Sequence, residues 1–100
     1  MFIIQLTYLV PITTIDEYLV AHRDFLEQEY QKNSFIASGP QTPRTGGILI
    51  SQLQDREQLL KILQQDPFYI NKLADYQIIE FNPVKYHRDF TPFIENALNL

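Results

Sequence analysis

His22 has the widest chemical reach in this sequence, because imidazole is the side chain that takes up and gives back a proton near neutral pH. It stands between Tyr18 and Phe25 on what reads as the inward stripe of a helix, where an apolar residue is the default. Two readings follow, a satisfied core histidine or a proton carrier in a pocket. Asp66 has a structural account of its own: before Pro67 it can cap a helix by accepting a backbone N–H, an interaction worth ~1 kcal/mol, while proline occupies the first helical position without missing a donor. Ser38 offers a hydroxyl beside Gly39-Pro40, a turn signal whose backbone amides could receive an oxyanion; its plain alternative is a turn serine. No Gly-x-Ser-x-Gly elbow and no neighbouring base make it a nucleophile. Arg44, the sole cation in the loop before Gly46-Gly47, is either a planar clamp for a carboxylate or a solvated loop arginine. Lys72 has the same claim in weaker form. Tyr8, Tyr18, Phe25, Phe68 and Tyr69 could line a pocket for a flat ring or simply build a core.

Other chemistries are excluded or disfavoured. The chain has no cysteine, which rules out disulfides, thiolate metal sites and a cysteine nucleophile. His22 and His87, the two histidines, have no ligand spacing, so no metal is predicted. Gly46-Gly47 lacks the further glycine and the Lys-Ser/Thr of a phosphate loop. A net charge of −4 opposes nucleic-acid binding, which draws on clustered Lys and Arg. The apolar opening, Met1 to Val10, lacks a basic flank and a cleavage site and is too short to span a bilayer, so it reads as a strand of a cytoplasmic protein with no membrane partner.

The elements that must position these residues follow from periodicity. Phe2 to Val10 suits a central strand buried on both faces. Thr14 and Glu17 have capping-box spacing, which predicts a helix from there to about Lys32 with Tyr18, His22, Phe25, Leu26 and Tyr30 inward and Arg23, Asp24, Glu27, Gln28, Gln31 and Lys32 toward solvent. Phe35-Ile36-Ala37 is a short strand closed by Gly39-Pro40; Gln41 to Gly47 is a loop; Ile48 to Leu53 is the next strand. Asp55 caps a second helix whose stripe is Leu59, Leu60, Ile62 and Leu63, ending near Gln65. Asp66-Pro67 starts a short helix through Ala74, and Tyr76 to Phe81 is the last strand.

The order strand, helix, strand, strand, helix, strand predicts an α+β, ferredoxin-like βαββαβ sandwich with a four-stranded antiparallel sheet and both helices on one face. At 100 residues this is one domain, read as residues 1–84 with an extension over 85–100. The bare sheet face needs a cover, and 45% hydrophobic residues supply surplus apolar surface, which predicts a homodimer. In the extension, Thr91-Pro92 can start a helix with Phe93, Ile94, Ala97 and Leu98 on one side, expected to dock on a partner subunit or fray.

Four features stand in an order that resembles the YCII-related family over about residues 2 to 83: His22 in the first helix, Ser38-Gly39-Pro40 after the second strand, Gly46-Gly47 before the third, and Asp66-Pro67-Phe68 after the second helix. The resemblance implies a dimeric α+β barrel with a pocket in each subunit. It also implies a His–Asp pair, here His22 and Asp66, with Asp66 orienting the imidazole and Ser38, Gly39, Pro40, Arg44 and Phe68 around the ligand. Lyase, isomerase and dehalogenase steps on small carboxylated or phenolic molecules are the reactions it suggests, without a cofactor. The chain departs from the family pattern at Tyr69-Ile70-Asn71-Lys72, where a small residue or glycine is expected, and in the length of its tail. The alternative is a non-catalytic module that holds a small molecule or another protein.

Overall fold

The computed structural model of the protein describes the backbone of residues 1–98 and the side chains of residues 1–94. Strand β1 (Phe2–Tyr8) leads into helices α1 (Ile12–Glu17) and α2 (Leu19–Gln31), then the hairpin β2 (Phe35–Pro40) and β3 (Gly46–Ser51). Helices α3 (Arg56–Leu63) and α4 (Pro67–Ile70) return the chain to β4 (Ala74–Glu80), and a 3₁₀ turn (Arg88–Phe90) precedes α5 (Thr91–Leu98). The sheet has four strands in the order β2-β3-β1-β4, all antiparallel, the ferredoxin-like arrangement predicted from the element order.

One sheet face makes the core. Phe2, Ile4 and Leu6 of β1, Phe35 of β2 and Leu49 of β3 are buried there against Ile15, Phe25, Leu26, Leu59, Leu63 and Phe68 from the helices. Each such side chain contributes roughly 1.5–3 kcal/mol of transfer free energy. Strand β1 is central, but the helices cover only one of its faces. Side-chain alternation puts Ile3, Ile48, Ile50 and Ile79 on the other, with Ile79 48% exposed.

Local chemistry moves several boundaries. No capping box forms at Thr14: Pro11, extended at ψ 151°, is itself the N-cap, and its carbonyl accepts from Thr14 N and Ile15 N, so the helix starts at Ile12. A tight bond from Tyr18 N to Ile15 O then ends α1 and separates it from α2. At the end of α2, Asn33 takes φ 62°, with Ser34 N donating to Glu29 O and Asn33 N to Tyr30 O, a Schellman close.

The same device ends α4 at Ile70 rather than Ala74, with Lys72 at φ 57° and bonds from Leu73 N to Phe68 O and Lys72 N to Tyr69 O. Ser38-Gly39-Pro40 is not a turn but the end of β2, paired with Leu49, Ile48 and Gly47; proline is tolerated because β2 is an edge strand. Both predicted aspartate caps form, Asp55 accepting from Glu57 N and Asp66 from Phe68 N. In the tail, Ile94 is buried at 6% exposure within the single chain; the side chains of Ala97 and Leu98 lie outside those described.

Candidate functional site

Leu19, His22, Arg23 and Leu26 follow one another on α2 at the i, i+3, i+4, i+7 spacing of one helix face, and that face forms a wall of a cavity of about 300 Å³. Opposite it stand Leu6 and Tyr8 of β1, Ser38, Gly39 and Pro40 of β2, Gly47 and Leu49 of β3, and Phe68 of α4, with Arg44 from the β2–β3 loop at the edge. The hairpin approaches β1 so closely that a Cβ on Gly46 would collide with the Leu6 carbonyl oxygen; glycine there is what lets the loop reach the cavity. Of the residues singled out in the sequence, His22, Ser38, Gly39, Pro40, Arg44 and Phe68 all line it. Asp66 does not: it is 0% exposed and lies behind His22.

His22 and Asp66 meet across 44 residues of sequence, Nδ1 standing 2.8 Å from Oδ1. One Asp66 oxygen serves both the helix cap and the histidine. Oδ1 accepts from both His22 Nδ1 and Phe68 N (3.0 Å), while Oδ2 accepts from the Tyr76 hydroxyl at 2.7 Å. An oxygen already serving as acceptor to a backbone amide requires the hydrogen on Nδ1, so the neutral ring keeps its lone pair on Nε2, on the opposite edge. No described residue bonds Nε2. The Phe68 ring stacks parallel on the imidazole, with centroids 4.0 Å apart, and fixes its plane. Burial and the Asp66 charge push the Tyr76 phenol well above the ordinary tyrosine range, so it stays a donor.

The polar edge is more committed than the sequence suggested. Ser38 Oγ is 2.6 Å from the Tyr30 hydroxyl. Arg44 Nη2 donates to Asp16 Oδ1 at 2.6 Å, and this bond raises the guanidinium above its usual value. Arg23, assigned to solvent from the helical pattern, stands exposed on the cavity wall and makes no ion pair or hydrogen bond among the described residues. Its spacing from Leu19 and Leu26 was the available signal. Tyr76 and Asp16 had none, since both partnerships join distant segments. Tyr18, Phe25 and Tyr69 are absent from the lining: Phe25 belongs to the core and the Tyr69 ring packs on Tyr76.

His87 accepts from Asp89 N in the tail. Among the described residues no group of three or more His, Cys, Asp or Glu could hold a metal ion, and no helix is long and apolar enough to cross a membrane.

Comparison with known proteins gives positive findings of two kinds. The YCII-related domain matches residues 1–82. Among solved structures, the chain is similar to 5-chloro-2-hydroxyhydroquinone dehydrochlorinase (TftG) from Burkholderia phenoliruptrix AC1100 in complex with 2,5-dihydroxybenzoquinone, with a TM-score of 0.67, 18% identity, and coverage of 82% of this chain and 94% of that one. At that identity the likeness establishes the fold. No curated protein matches the sequence significantly.

Proposed function

This chain belongs to the YCII-related family, and from that premise we propose that its cavity is an active site in which His22 moves a proton on a small carboxylated or phenolic ring. The observation that carries the reading is the 2.8 Å bond from His22 Nδ1 to a fully buried Asp66, which leaves Nε2 as the nitrogen available to the cavity. A neutral imidazole so oriented accepts a proton from a ring hydroxyl or an acidic C–H. The imidazolium formed is stabilised by Asp66, then returns the proton at a new carbon or to a departing group. Asp66 takes no proton itself; Phe68 N–H and the Tyr76 hydroxyl hold it in place.

Lyase, isomerase and dehalogenase steps all fit this sequence of transfers. A dehydrochlorinase of the same fold, bound to a flat dihydroxyquinone, supports the dehalogenase form and a planar ligand. Two copies joined through the open sheet face, over Ile3, Ile48, Ile50 and Ile79, complete the proposal as a homodimer.

Turnover of chlorinated hydroxyhydroquinones, followed by chloride release, tests the catalytic reading. His22→Gln is expected to lower the rate about 10²- to 10⁴-fold with binding retained. Unchanged turnover in that variant would remove His22 from the mechanism, and binding without turnover in the native protein favours the non-catalytic module.

A further inference from the structure

Two arginines border the cavity, and their electrostatic situations are opposite. The Arg44 guanidinium already faces a carboxylate, 2.6 Å from Asp16 Oδ1. A ligand carboxylate placed against Arg44 would stand beside the Asp16 charge and lose much of the attraction. Arg23 has no such partner among the described residues, although Asp24 and Glu27 lie one and four positions along the same helix. It is one residue from His22 on the cavity wall. On the other side of the imidazole, Asp66 is saturated by three donors and faces no solvent, so its charge is spent inside the protein. Among the described residues, Arg23 is therefore the uncompensated cation bordering the cavity.

We propose that Arg23 is the specificity-determining residue of this site, selecting a flat ring that carries an anionic substituent, carboxylate or phenolate, and presenting that ring to His22. The inference rests on the reading of the cavity as a ligand site and adds the charge of the ligand and the residue that reads it. Arg44 then serves a different purpose, tying the β2–β3 loop to α1 through Asp16. The forked guanidinium suits a planar oxyanion, and the hydroxyl of Ser38, held by Tyr30, stands on the facing strand for a second polar group.

The experiment compares salicylate with salicylamide, one ring in anionic and neutral form, titrated into the full chain and followed by the Leu26 methyl and His22 ring signals. The native protein is expected to prefer salicylate. Arg23→Gln removes that preference, weakening salicylate about fivefold, the scale of an exposed charge pair, and leaving salicylamide unchanged. Arg44→Gln keeps the preference, and Asp16→Asn strengthens salicylate binding by freeing the second guanidinium. A preference that survives Arg23→Gln and disappears in Arg44→Gln overturns the assignment while the ligand-site reading stands. Failure of both probes to shift the cavity signals in the native protein overturns the ligand site and this inference together. Since Arg23 is exposed and holds no partner among the described residues, its replacement is expected to leave the fold intact and the comparison interpretable.

Discussion

Two cavities among the described residues have nearly the same size, about 300 Å³ beside His22 and about 320 Å³ between the first residue, the β3–α3 connection and the tail. The first is walled by the regular part of the fold and brings an imidazole and two guanidinium groups to one space. The second is lined, among the described residues, by Met1, Gln52, Asn82, Tyr86, Phe93, Ile94 and their neighbours, without an acidic, basic or imidazole side chain. Their polar groups also differ in how they are held. Asp66 accepts from three donors, whereas Gln52 Oε1 is buried with no partner among the described residues while its Nε2 donates to Asn33 O at 2.6 Å. Volume does not separate the two cavities. What separates them is a set of polar groups fixed by satisfied neighbours and converging from several elements.

The sharpest way to break this contrast is Asp66→Ala. It strands the His22 Nδ1–H, the Phe68 N–H and the Tyr76 hydroxyl in a buried space, and urea unfolding is expected to show a loss of about 3–5 kcal/mol. A loss below about 1 kcal/mol would mean that the carboxylate does not organise the first cavity. Ile94→Ala probes the second. Removing a side chain 6% exposed is expected to cost about 2 kcal/mol while leaving the ¹⁵N signals of the His22 ring unmoved, as befits a packing region apart from the site. A shift of those signals would join the two cavities.

The smallest effect belongs to Tyr76→Phe, which removes one donor from Asp66 and should cost about 1 kcal/mol at neutral pH. Its pH dependence sharpens the comparison further. The phenol is raised in the folded state, so its contribution is complete below the unfolded tyrosine value of ~10, where both states keep the proton. As pH climbs past that value the unfolded chain ionises and the folded phenol does not, so the native protein loses stability that the phenylalanine variant lacks. Unfolding curves of the two proteins should therefore converge at high pH; parallel curves would contradict the buried bond to Asp66.

Much of the fold was legible in the sequence because it depends on local rules. Asp55 and Asp66 cap their helices through short aspartate side chains that reach an amide two residues on. The order of elements admits few arrangements other than the observed sheet. Errors fell where a neighbour beyond the local window decided. Pro40 reads as a turn until β2 is known to be an edge strand, and Thr14 reads as a cap until Pro11 supplies the entry into the helix. Glu29, buried with the Ser34 hydroxyl on Oε1, is marked by no signal within α2, because its partner lies beyond the helix end.

The candidate site divides in the same way. Residue types and spacing determined that His22 lies on an inward helical stripe and that Asp66 opens a helix, and the family resemblance placed the two together. Only the tertiary structure decided that Asp66 shares one oxygen between the imidazole and an amide and gives the other to Tyr76, that Asp16 claims Arg44, and that Arg23 stands on the cavity wall with no ion pair among the described residues. Spacing along the chain fixes which face of an element a side chain occupies. Which charges meet depends on elements folding against one another, and no periodicity in the sequence encodes that meeting.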